Sequence, residues 1–167
     1  MMQKAIYAGS FDPITNGHLW IIEKAINLFD YLVIAVGNNT DKVCTFSIAE
    51  RIDLIKQTTK QFKNIIVTEL KDEFLVHYAK KLEAKFIVRG IRNGNDYEYE
   101  RNMRYINSDL DSNITTIFLI PPRNFVEVSS NTVKNLIGPI GWEQIVKQYV
   151  PSIVFTQLQQ YHMNHNV

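Results

Sequence analysis

Cysteine is almost missing from this chain. Cys44 stands alone among 167 residues, which excludes an internal disulfide and any multi-cysteine zinc site. With no histidine near it in sequence, it reads as an incidental thiol. An excess of either charge is missing as well. Eighteen Lys and Arg oppose seventeen Asp and Glu, a net charge of +1, and a dedicated nucleic-acid binder usually carries a basic surplus. No apolar run approaches the ~18 residues of a membrane span. The opening ten residues carry one Lys and an apolar stretch that stops at Gly9, too short for a signal peptide. Repeats, linkers and low-complexity tracts are lacking too. So are the two commonest nucleotide motifs, G-x-x-x-x-G-K-[ST] and a G-x-G-x-x-G after the first strand. These absences predict one cytoplasmic domain over residues 1–167, with no membrane or nucleic-acid partner. At 46% hydrophobic residues, its core needs no metal or disulfide staple.

What is present is an alternation. Short, β-branched runs at Lys4–Ala8, Tyr31–Val36, Asn64–Glu69, Phe86–Arg89 and Ile114–Ile120 have the near-continuous apolarity of parallel strands buried on both faces. Helical periods lie between them. Gly17–Phe29 puts Leu19, Ile22, Ile26 and Phe29 on one stripe. Ser47–Lys60 opens with the capping box Ser47-Ile48-Ala49-Glu50 and carries Ile48, Ile52 and Ile55. Glu73–Leu82 and Tyr97–Leu110 complete the series. The fold class is α/β: a five-stranded parallel sheet with helices on both faces. Pro121-Pro122 opens a loop, a short helix follows from about Ser129 to Leu136, and Gly138-Pro139 ends it. The core is residues 3–136. Residues 139–161 add one or two C-terminal helices split at Pro151, and the polar tail from His162 is expected to fray.

Open parallel sheets bind ligands beyond the carboxyl ends of their strands. After the first strand stands Gly9-Ser10-Phe11-Asp12-Pro13-Ile14-Thr15-Asn16-Gly17-His18. Gly9 permits close approach of a ligand to the backbone. Thr15 or Asn16 can cap the next helix, and His18 falls in its first turn, where an anion is favoured. Alone, this would be a capped helix with a surface histidine. Ser129 and Ser130 alone would be a plain N-cap, and Arg89 and Arg92 ordinary surface charges. Asp96, Glu98 and Glu100 suit a helix first turn equally well. The pair His162 and His165 lies in a terminal tail and predicts no metal site.

Taken together these segments carry a resemblance. Thr15–His18 resembles the (H/T)-x-G-H signature of the nucleotidyltransferase superfamily, and Val128-Ser129-Ser130-Asn131-Thr132-Val133-Lys134 resembles its second motif. Ala5–Pro13, Phe46–Arg51, Ile87–Arg92 and Asp96–Glu100 narrow the likeness to the bacterial phosphopantetheine adenylyltransferase family, over residues 3 to 136. The resemblance implies a Rossmann-like nucleotidyltransferase fold. It also implies reversible transfer of an adenylyl group from ATP to 4′-phosphopantetheine, yielding dephospho-coenzyme A and pyrophosphate. By the same resemblance, His18, Lys42, Arg92 and Ser10 carry the chemistry. ATP meets Ser10, Phe11, His18, Gly90, Ile91, Arg92, Glu100 and the run Phe125, Val126, Glu127, Val128, Ser129, Ser130, Asn131. The acceptor meets Ser10, Lys42, Asp72, Leu75, Arg89 and Asn107. Mg²⁺ bound through ATP phosphates, coenzyme A as a feedback ligand and a homohexamer are further implications. The chain departs from the family at Ala8, Val43-Cys44, Asn102, Arg104 and Asn131.

The chemistry suits these side chains. A phosphate monoester with a second pKa of about 6 is largely ionised at neutral pH, so its attack needs no general base. A dianion must instead approach the α-phosphorus of a tetra-anion, and the protein's task is neutralisation and in-line positioning. Two other readings compete. One is a different small-molecule nucleotidyltransferase, of cytidylyltransferase or nicotinamide-mononucleotide type. The other is a silent nucleotide or coenzyme A sensor, which loss of His18 or the serine pair would favour.

Overall fold

The computed structural model describes residues 2–38 and 43–165, the side chain of His165 excepted. Strands form where the β-branched runs lie: β1 (Lys4–Gly9), β2 (Tyr31–Gly37), β3 (Ile65–Leu70), β4 (Phe86–Gly90) and β5 (Thr115–Leu119). They make one five-stranded sheet in the order β3-β2-β1-β4-β5, every neighbouring pair parallel. The chain therefore reverses its direction of growth between β1 and β4, and the crevice above such a switch point is where an open α/β sheet binds its ligand.

The described residues form eight helices: α1 (Asn16–Leu28), α2 (Ile48–Thr58), α3 (Leu75–Lys81), α4 (Gly94–Leu110), α5 (Arg123–Val126), α6 (Ser130–Leu136), α7 (Trp142–Val146) and α8 (Ser152–His165). Alternate residues of β1 feed two cores. Ala5 and Tyr7 join the larger one with Ile22, Ile55, Trp142 and Leu158, from α1, α2, α7 and α8. Ile6 and Ala8 face the other way, onto Val76 and Ala79 of α3. The period of two in the strand thus places helices on both sides.

Several sequence expectations shift. Burial on both faces holds for β1 and β2 but not for the edge strands; Ile66 of β3 is half exposed. The inward stripe of α1 is Gly17, Ile21, Ile22 and Ala25, rotated from the apolar stripe because small residues sit where the backbone comes closest. On α2 the buried set includes Arg51, with Ile48 and Ile52 at the margin. α4 begins three residues before Tyr97, since Asn93 caps it by accepting from Asp96 N at 2.9 Å. α5 lies within the expected loop. From His162 to His165 the expected frayed tail is helical instead: buried Val154 and Leu158 anchor α8, and the His162 ring packs on Trp142 at 5.4 Å; residues 166 and 167 lie outside the described residues. No described helix is long and apolar enough to cross a membrane.

Candidate active site

At its carboxyl end β1 runs into a loop whose parts are fixed from several directions. Phe11 adopts φ 48°, a left-handed conformation uncommon outside glycine and a place where strain is held by surrounding structure. Its ring packs edge-on against Tyr7 at 5.3 Å and against His18 at 5.2 Å. A Cβ at Gly9 would stand 3.1 Å from that ring, so glycine lets strand and aromatic lie together. Asp12, 2% exposed, accepts from Thr45 N and Phe46 N, both at 2.9 Å, and from Lys134 Nζ at 2.9 Å. One buried carboxylate thereby joins three segments distant in sequence. Arg51, 1% exposed, does the same with donors: to Phe46 O at 3.1 Å, Ser10 O at 2.8 Å, Gly37 O at 3.1 Å and Asn38 Oδ1 at 3.3 Å.

The spacing Thr15-x-x-His18 is a capping box with histidine in the usual place of glutamate. The Thr15 hydroxyl accepts from His18 N, and the ring Nδ1 accepts from Thr15 N at 3.1 Å. An imidazole accepting at Nδ1 carries its proton on Nε2 when neutral. Burial, then the Arg92 charge, push the His18 pKa down from 6.5 to about 4. The ring is thus a neutral donor at physiological pH. Gly17 serves a different purpose: a Cβ there would lie 2.8 Å from Val128 O and 3.3 Å from Phe125 O. The two motifs touch through backbone, and only glycine admits the contact.

At the end of β4, Arg89 donates to Ala8 O at 2.8 Å and pairs with Glu100 of α4 at 3.0 Å, both side chains largely buried. Burial raises the Glu100 carboxyl; the Arg89 charge opposes this and Asp96 adds repulsion. Arg92 makes a bidentate pair with Asp96, Nε to Oδ2 at 2.7 Å and Nη2 to Oδ1 at 3.1 Å. On the far side, Ser129 caps α6 by accepting from Thr132 N at 3.0 Å, and the Ser130 hydroxyl donates to Pro13 O at 2.8 Å.

These groups enclose a cavity of about 320 Å³ at the switch point. Ser10, Phe11, His18, Arg89, Gly90, Arg92 and Glu100 line it, with Phe125, Val128, Ser129, Ser130 and Asn131 opposite. Ile91, Val126 and Glu127 stay out of the wall: Ile91 is buried, its N–H held by Leu119 O at 2.9 Å, and Glu127 points to solvent. Asp72, Leu75 and Asn107 also lie outside it. Leu75 packs beside the α3 core, Asn107 is buried on α4, and Asp72 is exposed in the β3–α3 connection. Lys42 lies outside the described residues. Gly9, expected to let a ligand approach, lines it as well; sequence reasoning did not assign Tyr7, Ala8, Gly17, Ile21 and Pro121, which complete the lining, nor Asp12 and Arg51, which brace it. Gly17 and Asp12 lie inside the motif segments and Pro121 at the start of an expected loop, whereas Tyr7, Ala8, Ile21 and Arg51 sit in apolar or helical runs that give no sign of a ligand.

Residues 6–136 match the cytidylyltransferase-like family model. The phosphopantetheine adenylyltransferase of Chromobacterium violaceum is 56% identical over 157 residues, covering 94% of this chain and 96% of that protein. The chain belongs to the phosphopantetheine adenylyltransferase family. Its namesake from Neisseria meningitidis serogroup B is 51% identical over 164 residues, 98% of this chain and 96% of that one. Among solved structures, the Plasmodium falciparum nicotinic acid mononucleotide adenylyltransferase complexed with NaAD superposes with a TM-score of 0.71, covering 96% of each chain at 15% identity. That likeness shows a nucleotidyltransferase fold. Two of the segments that carry the sequence resemblance, Thr15–His18 and Val128–Lys134, meet here at Gly17.

Proposed function

We propose that the cavity is where this chain, as a phosphopantetheine adenylyltransferase, joins ATP to 4′-phosphopantetheine. A phosphate oxygen of the acceptor forms a bond to the α-phosphorus of ATP. The bond from that phosphorus to the bridging oxygen breaks, and pyrophosphate leaves with the electron pair. The observation that carries the reading is the capping box: Thr15 fixes His18 as a neutral Nε2–H donor on the wall of a cavity flanked by Arg89 and Arg92. A donor aimed at charge that develops on the α-phosphate stabilises the transition state more than the ground state. In this reading Arg92 trades its contact with Asp96 for the leaving phosphates and Arg89, with Ser10, holds the incoming one; Lys42, outside the described residues, is assigned to the same phosphate by the family resemblance alone. The serine hydroxyls of α6, now engaged internally, sit where they can turn toward ATP.

Mg²⁺ fits this donor set in one way only. Among the described residues no group of three potential acidic, histidine or cysteine ligands occurs, and the cavity's one carboxylate, Glu100, is paired with Arg89. The ion would be held through ATP phosphates and water, as Mg²⁺ commonly is, and would supply neutralisation of the leaving pyrophosphate. A cytoplasmic homohexamer restrained by coenzyme A, whose adenylyl half the same cavity would take, completes the proposal. Incubation with ATP, Mg²⁺ and a panel of phosphorylated acceptors, followed by mass analysis, tests it. Dephospho-coenzyme A is the expected product; a product formed from nicotinamide mononucleotide alone would displace the reading.

A further inference from the structure

Tyr7 is a polar residue in an apolar strand, and nothing in the chemistry above uses it. It is 6% exposed. Its ring needs no hydroxyl for its packing: it lies edge-on to Phe11 in the larger core, as a phenylalanine would. The residue nevertheless forms part of the cavity wall together with His18, Gly90 and Arg92. The hydroxyl end lies beside Gly90, where a built Cβ would come to 4.0 Å of the phenolic oxygen.

The charged groups near that oxygen are all bonded elsewhere. Arg89 is taken by Ala8 O and Glu100, Arg92 by Asp96, and Glu100 by Arg89. Among the described residues none hydrogen-bonds the Tyr7 hydroxyl. A hydroxyl on a cavity wall that no protein group holds is available to a ligand seated there. Burial also drives the phenol's pKa well above its ordinary 10, so it remains an O–H donor at every working pH. Its partner must accept, and the residues around it are those facing the nucleotide.

We propose that the Tyr7 hydroxyl donates a hydrogen bond to an oxygen of the adenylyl half of the bound nucleotide. It is a binding residue whose hydroxyl no described residue holds. This rests on the reading of the cavity as the ATP site.

Tyr7→Phe removes one oxygen and keeps the ring. The free variant should melt at the same temperature as the parent, because the ring and its edge-on packing on Phe11 are kept. The shift in melting temperature produced by ATP with Mg²⁺ and no acceptor should shrink. The kcat/KM for ATP should fall about tenfold, chiefly through KM, the worth of one such hydrogen bond. The KM for 4′-phosphopantetheine should not move. Equal stabilisation of both proteins by ATP would overturn the proposal. So would a fall in the free variant's melting temperature that accounts for the lost activity. A parent protein that binds ATP but adenylylates no acceptor would refute the reaction assigned to the cavity and leave the Tyr7 comparison standing on ATP binding alone.

Discussion

His18 depends for its chemistry on the residue three places before it. Thr15 N fixes Nδ1 as acceptor, and burial keeps the ring neutral with a pKa near 4. Replacing His18 by Ala should lower kcat by about 10²–10³, roughly 3–4 kcal/mol, as for loss of an oxyanion donor, with a much smaller effect on ATP affinity. Steady-state kinetics with both substrates varied checks this. The same pKa has two consequences for pH. The folded value lies below the unfolded one, so the unfolded chain binds the extra proton first. Stability from this group is complete above pH 6.5 and is lost as the pH falls toward 4, by at most about 3 kcal/mol. Melting scans of the parent and His18→Gln across that window read it. The activity limb near pH 6 then belongs to the acceptor phosphate. A thiophosphate acceptor of lower pKa should shift that limb downward, whereas an unmoved limb would assign it to a side chain. The Thr-x-x-His spacing and the serine pair were legible because caps leave local signatures. Asp12 and Arg51 were not, since the fold brings in partners as far as 122 and 41 residues away, and Tyr7 was not, since it sits within an apolar strand.

Among the elements, α1 and the α5–α6 turn are locked together by an absent side chain. In an exposed helix interior Gly→Ala stabilises by about 1 kcal/mol. At Gly17 the new methyl would meet Val128 O at 2.8 Å and Phe125 O at 3.3 Å, and backbone cannot yield as a flexible side chain does. Gly17→Ala should therefore destabilise by about 1–3 kcal/mol and raise the KM for ATP by displacing the wall that carries Ser129 and Ser130. A melting temperature raised by the substitution would show that the contact is loose. The sheet itself was readable from β-branched runs, to within a residue or two. The inward faces of α1 and α2 were not, because a helix buries what the packing needs. In α2 that is Arg51, whose donors serve four acceptors brought together by the fold. The start of α4 escaped notice for a simpler reason: its cap, Asn93, stands beside a glycine that reads as loop.

For the molecule as a whole, the composition announced a core but not where it would be left uncovered. α4 exposes Tyr97, Tyr99, Tyr105, Ile106 and Leu110, each at least 41% accessible. The helix shows little apolar burial against its own chain; only Asn107 is buried. A surface of that kind suits contact between copies and supports the proposed hexamer. Sedimentation should give six times the 19.4 kDa chain mass, and Ile106→Glu, on the half-exposed face, should reduce it to smaller species with the fold intact by circular dichroism. A parent that sediments as a monomer would leave the face to another use. The central claim is that this cavity neutralises and aligns two phosphate groups rather than activating a hydroxyl. The most direct measurement is pyrophosphate release from ATP and Mg²⁺ with 4′-phosphopantetheine and, in parallel, with pantetheine. Release with the phosphorylated acceptor alone, accompanied by dephospho-coenzyme A, is the expected result; equal release with pantetheine would contradict the account.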